Sequence, residues 1–139
     1  MLERYYKYKI DYKEYILIFK VGSFYIMFDK DALIMNYLFK YKLINIRDTY
    51  KCGFPISSIN KIKNILNLRS INYVVISNTL YISKFENNNY SKYNFDIDNL
   101  KNNYIRIDKI IKYLNDNINN DISDIIDKIE KIINTNLLR

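Results

Sequence analysis

The chain has no histidine and no tryptophan, and only one cysteine, one proline and two glycines among its 139 residues. Each shortage removes a class of chemistry. Without histidine no side chain has an ordinary pKa near neutrality, so the usual general base and every Ser-His or Cys-His nucleophile pair are excluded. A lone Cys52 forms no internal disulfide, which fits a reducing compartment, and it cannot by itself assemble a zinc site. Gly22 and Gly53 lie 31 positions apart, so no G-x-x-x-x-G-K-[ST] phosphate loop exists and no ATPase is expected. No stretch approaches the roughly 18 apolar residues of a membrane span, and MLERYYKYKIDYK is not a signal peptide. The expectation is a cytoplasmic protein with no membrane role.

What is present is aromatic and basic. The chain holds 15 Tyr and 7 Phe at 49% hydrophobic residues, enough for one domain with a core of its own. Ile, Asn, Lys, Tyr and Phe are all encoded by A/T-rich codons, so part of this bias reports genome composition. The charge is placed unevenly. Residues 1–87 carry 14 Lys/Arg against 7 Asp/Glu, the whole net charge of +7, whereas residues 88–139 carry eight of each. A basic front part suits an anionic partner, and a balanced tail suits a protein-like role.

The order of elements follows from local pattern. Residues 1–14 suggest a short helix or arm. ILIFKV (16–21) lacks polar alternation, as a strand covered on both faces does. Gly22-Ser23 turns the chain into a second strand, Phe24–Phe28. Asp29 has the character of a helix N-cap, and Asp31 of a partner for the dipole of a helix over 30–41. Two residues apart at a helix start, these carboxylates suit a cap better than a Mg²⁺ site, and no catalytic set is expected. Residues 43–56 end in Cys52-Gly53-Phe54-Pro55, a loop by its Gly and Pro. Ser57 or Ser58 can cap a helix carrying Ile59, Ile62, Ile65, Leu66 and Leu68. YVVIS (73–77) and Leu80–Phe85 form another strand pair. The Asn-rich segment 88–104 has the composition of a mobile linker. In the tail, 105–139, Ile107, Ile111, Leu114 and Ile118 keep helical spacing. The spacing resumes at Ile122, Ile125, Ile129 and Ile132 behind an Asp121 cap, predicting a helical hairpin. That hairpin can pack on its own domain, dimerise, or dock on another protein.

ILIFKVGSFYIMFDKDA resembles the opening of the mismatch-recognition domain of the MutS DNA mismatch repair family, roughly L-L-F-F-R-x-G-D-F-Y-E-x-F followed by an acidic residue and D-A. CGFPISSINKIKNILNLRSINYVVIS is similar to that domain's A-G-[VI]-P-Y-H-x-x-x-x-Y-L-x-x-L-x-x-x-G-x-x-V-A-I-x-E. The two blocks share order and spacing over residues 5–80. The resemblance implies an α/β (α+β) fold in which a mixed β-sheet is flanked by helices, here over 1–87. It also implies a free-standing relative of one recognition domain, lacking the rest of the repair machine.

In that family the Phe of F-Y-E wedges between bases from the minor groove and the Glu hydrogen-bonds the displaced base. By position Phe24 matches the wedge, but Ile26 stands at the Glu and Ser23 at the usual Asp. An Ile neither donates nor accepts a hydrogen bond, so the polar half of mismatch reading is missing. Phe24 is therefore open to three roles: sheet packing, a retained nucleic-acid contact, or an apolar protein interface. The leading expectation is a non-enzymatic nucleic-acid-binding module without cofactor or metal, favouring DNA over RNA. Phe24 and Tyr25 would stack on bases, and Lys20, Lys40, Lys42, Arg47, Lys51, Lys61, Lys63 and Arg69 would contact phosphates. The alternative is an adaptor for a polymerase, reverse transcriptase or repair enzyme, using the apolar strand face and the Ile-rich tail.

Overall fold

The computed structural model describes residues 1–93 and 97–137, which fall into two compact units, Met1–Ile97 and Asp98–Arg139. In the first unit, α1 (Leu2–Asp11) precedes a hairpin of β1 (Ile16–Val21) and β2 (Phe24–Phe28). Then follow α2 (Asp29–Phe39), β3 (Ile44–Ile46), β4 (Thr49–Pro55), α3 (Ile59–Leu68), β5 (Tyr73–Ile76) and β6 (Leu80–Ser83). The six strands form one mixed sheet in the order β3-β4-β2-β1-β5-β6. Only β1 and β5 run parallel, with Ile16 opposite Tyr73 and Phe19 opposite Ile76.

The pleat sends alternate residues to opposite faces, and each face has its own core. Ile16, Ile18, Tyr25, Met27, Cys52, Phe54, Tyr73 and Val75 pack against Ala32, Ile34 and Met35 of α2 and Ile62 and Leu66 of α3. Leu17, Phe19, Phe28, Val74 and Ile76 pack on the other side against Tyr5 of α1, with Leu2 and Tyr8 at the margin. Four consecutive β1 residues and all four of β5 are buried, as central strands covered on both faces require. The α1 side is closed by rings. Tyr5 meets Phe19 and Phe28 with centroids 6.3 and 5.7 Å apart, and Phe19 meets Phe28 at 6.0 Å. Such tilted and edge-on pairs add to plain area burial.

The structure departs from sequence expectation at four places. The segment expected as a loop, Cys52–Pro55, is the end of β4, paired with β2 from Phe28↔Lys51 to Phe24↔Pro55. Gly53 is there for closeness: a Cβ would meet the Tyr25 carbonyl oxygen at 2.8 Å. Asp29 is the first residue of α2 and has φ 50°. Its Oδ1 accepts from the Thr49 hydroxyl. Tyr41 falls beyond α2, which Lys40 ends in the left-handed conformation.

The fourth departure is the Asn-rich segment. Residues 88–93 fold against the first unit: Asn88 Oδ1 accepts from the Asn72 N–H at 2.9 Å, its Nδ2 donates to the Glu14 carbonyl at 2.8 Å, and Tyr90 is buried. Residues 94–96 of that expected linker lie outside the described residues, and 97–104 are the start of α4 (Ile97–Asp116). The second unit holds α4 and α5 (Ser123–Leu137), with Asp121 Oδ1 accepting from the Ser123 N–H at 3.3 Å at the α5 entrance. No helix among the described residues is long and apolar enough to cross a membrane.

Candidate nucleic-acid interface

The β1–β2 turn is a stiff projection. Gly22 takes φ +60°, the left-handed region in which a side chain is strained. Val21 pairs with Phe24 across the turn, and the Ile56 N–H donates to the Ser23 carbonyl at 3.1 Å, tying the turn to the end of β4. Phe24 stands at this tip with 52% of its surface exposed. A fully built sheet thus holds an aromatic ring out in solvent.

Phe24, Ile26 and Phe28 share the α1 face of β2, but α1 covers only the part near Phe28. The uncovered part is a groove of about 310 Å³ lined by Val21, Phe24, Ile26, Ile44 and Gly53, with Lys42 and Lys51 at its rim. A second hollow of about 290 Å³ continues it along the same face through Ile26, Phe28 and Ile46 to Arg47. Neither is lined by a carboxylate. Lys51 lies opposite Phe28 on one side and Ile44 on the other. Half-buried, it can lay its stem over apolar surface and keep its ammonium in water.

The other residues expected in this interface are distributed differently. Tyr25 is only 9% exposed and packs on Phe54 at 5.4 Å between centroids, inside the core under α2 and α3. It is not available for stacking, because strand alternation sends it to the face opposite Phe24. Lys61 and Lys63 belong to α3, which covers that opposite face, and Arg69 caps its end. Lys63 Nζ sits 4.0 Å above the Tyr81 ring, and Arg69 donates to the Tyr93 hydroxyl at 3.3 Å. Lys40 lies beyond the end of α2, 5.8 Å from the Tyr37 ring centroid. Arg47, in the β3–β4 turn, pairs with Glu3 at 3.7 Å, both side chains well exposed. Lys20 lines a separate polar pocket with Arg4. Of the eight cations expected to contact phosphates, the groove beside Phe24 gathers Lys42 and Lys51, with Arg47 at its far end.

A buried polar cluster also escaped sequence reasoning. Asp31 is completely buried. Its Oδ1 accepts from Lys9 Nζ at 3.0 Å and from the Tyr90 hydroxyl at 2.6 Å, and its Oδ2 accepts from the Leu17 N–H at 3.0 Å. Lys9 also donates to the Tyr15 carbonyl. Burial raises the Asp31 pKa and lowers that of Lys9, while their mutual attraction opposes both shifts. Its partners come from α1, β1 and the segment after β6, none of them near Asp31 in the chain. Cys52 is buried too, its thiol donating to the Ala32 carbonyl at 3.5 Å. Burial, and then Asp31, push it up to about 12, which leaves it protonated and unreactive near neutrality. No group of His, Cys, Asp and Glu among the described residues could hold a metal ion.

A mixed sheet flanked by helices, with an aromatic residue at the tip of its first hairpin, is an α+β fold of the MutS domain I-like kind. The chain belongs to the MutS domain I family, whose model matches residues 1–86. That is the first unit almost in full, and it relates this chain to the mismatch-recognition module. No curated protein matches the chain.

Proposed function

We propose that this chain is a non-enzymatic nucleic-acid-binding module that presses Phe24 against bases at a distorted or unpaired site while Lys42 and Lys51 engage neighbouring phosphates. One observation supports this above the others: the ring at the hairpin tip is held in solvent beside a groove whose only charges are positive. An inserted apolar side chain costs a few kcal/mol of unstacking, recovered most readily where pairing is already defective. Ile26 gives the groove no polar group with which to read a base edge, so recognition rests on shape and stacking rather than on base identity. DNA is the favoured ligand, by relation to the family.

The test is a binding panel at fixed salt with matched duplex, mismatched duplex, single strand and RNA hairpin. The reading predicts binding that weakens steeply between about 50 and 200 mM salt if six or more phosphates are neutralised. Lys51→Glu should weaken it more than Lys61→Glu, which changes the opposite side of the sheet. Absence of binding to every ligand at low salt would remove the proposal.

A second reading, a protein adaptor that self-associates or docks through the tail, is favoured by a separate observation. Helices α4 and α5 leave Ile107, Ile111, Ile125, Ile126 and Ile133 exposed, and Ile118 and Ile132 are open to 67% and 63%. Helices that bury so little of their apolar stripe gain little stability alone.

A further inference from the structure

We propose that the polar pocket formed by Arg4, Lys20, Gly22, Ser77 and Asn78 is a phosphate-binding site. Its volume is about 330 Å³, and it is built from the first turn of α1, the end of β1 and the β5–β6 turn. The fold brings two cations from different elements to one cavity, and no carboxylate lines it. Neither Arg4 nor Lys20 forms an ion pair among the described residues. An anion in the cavity would meet positive charge from two elements.

The pocket's chemistry selects phosphate. The Arg4 guanidinium carbon lies 5.5 Å from the Phe19 ring centroid and 5.6 Å from that of Tyr8, which steadies the planar fork. A guanidinium fork suits two oxygens of one phosphate, and Lys20 adds a point charge. The Asn78 amide supplies a neutral donor from an exposed turn, in which the Ser77 hydroxyl donates to the Thr79 carbonyl at 3.4 Å and accepts from the Thr79 N–H at 3.5 Å. Gly22 has nothing within 4 Å of where a Cβ would stand, so the pocket stays open on that side.

The source of the phosphate follows from where the pocket lies, and here the inference rests on the nucleic-acid reading. Gly22 is two residues from Phe24, at most about 7 Å of chain. The tip therefore separates a cationic pocket on one side from the aromatic ring and apolar groove on the other. One strand can place a phosphodiester in the pocket and an adjacent base on Phe24.

The experiment combines oligonucleotide titrations of the full chain over a salt series with amide NMR during addition of inorganic phosphate. Arg4→Gln and Lys20→Gln are each expected to weaken oligonucleotide binding about threefold to tenfold at low salt and to reduce the log–log salt slope by about one. Asn78→Asp, on an exposed turn away from the core, places a carboxylate at the pocket and should weaken binding similarly, which covers the case in which Arg4→Gln disturbs α1. Unchanged affinity and slope in all three variants, while Lys51→Gln still weakens binding, would overturn the pocket and leave the proposed function standing. Phosphate-dependent shifts at Gly22, Ser77 and Asn78 without oligonucleotide binding would support the pocket and reject the nucleic-acid reading. No shift with either ligand overturns the pocket.

Discussion

The Tyr90 hydroxyl donates to Asp31 Oδ1 at 2.6 Å across 59 positions of sequence, fixing the segment after the last strand to the first turn of α2. Lys9 of α1 completes the arrangement, so one buried carboxylate ties together three elements that the sheet alone does not join. A buried ion pair adds little over an apolar replacement, but breaking it leaves an uncompensated charge inside. Asp31→Asn strands the Lys9 ammonium and should destabilise the first unit by about 3–5 kcal/mol. Tyr90→Phe removes the hydrogen bond to Asp31 and the one the hydroxyl accepts from Lys9 Nζ at 3.1 Å, and should cost about 1–3 kcal/mol. Urea denaturation of both variants checks the order; equal, small effects would show that the cluster is not a structural tie.

Stability should fall at alkaline pH. The Cys52 thiol, held up to about 12 in the folded chain by burial and by Asp31, has an ordinary value of 9.0. Between those values the unfolded chain has lost this proton and the folded chain keeps it, so the folded state binds more protons and unfolding becomes easier as pH rises. The raised Tyr5 and Tyr90 phenols act in the same direction above their ordinary value of 10.0. Each such group contributes about 1.4 kcal/mol per pH unit within its window. Thermal melts from pH 8 to 11 should show this decline, shallower in Cys52→Ala, while a melting temperature flat to pH 11 would contradict it.

Gly53→Ala tests the close approach of β2 and β4. The added methyl meets a backbone oxygen rather than a flexible side chain, so the strands themselves must part. A loss of about 1–3 kcal/mol is expected in denaturant unfolding, as for other overpacked sites. A neutral substitution would mean that the two strands yield freely.

The same residue shows what the sequence could and could not reveal. ILIFKV, the Gly22-Ser23 turn and YVVIS carried enough local pattern to place β1, β2 and β5, and the family resemblance rested on those stretches. Gly53 and Pro55 carry loop composition, yet β4 needs the first for closeness to Tyr25 and tolerates the second at its last residue. The pattern left Phe24 open between sheet packing and an outward contact, and only the built hairpin shows it exposed. Tyr25, expected to stack on bases, is buried because strand alternation puts it on the other face. The separation of Lys61, Lys63 and Arg69 from Phe24 was not legible, because it depends on which side of the sheet α3 packs. Asn88 looked like linker, since the long-range backbone groups it brackets leave no mark on local composition. Asp31 likewise had the appearance of a helix-start acid until Lys9 and Tyr90 converged on it.

The tail makes its own prediction. If the exposed isoleucines of α4 and α5 are covered by a second copy, static light scattering of the full chain should give at least twice the monomer mass of 16.9 kDa. A chain ending at residue 97 should be monomeric and retain cooperative unfolding. A full-length chain that stays monomeric at high concentration would reject self-association.

Phe24 is exposed and can be changed with little effect on folding. Affinities of the wild-type chain and Phe24→Ala for a matched duplex, a one-base mismatch and a single strand of the same sequence, all at one low salt concentration, test its contact with bases most directly. Stacking on bases is worth about 1–3 kcal/mol per aromatic. The wild type should therefore prefer the mismatch or the single strand by about fivefold or more, and Phe24→Ala should bind all three alike through its remaining cations. A preference that survives loss of the ring, or a wild type with no preference to lose, would contradict the account.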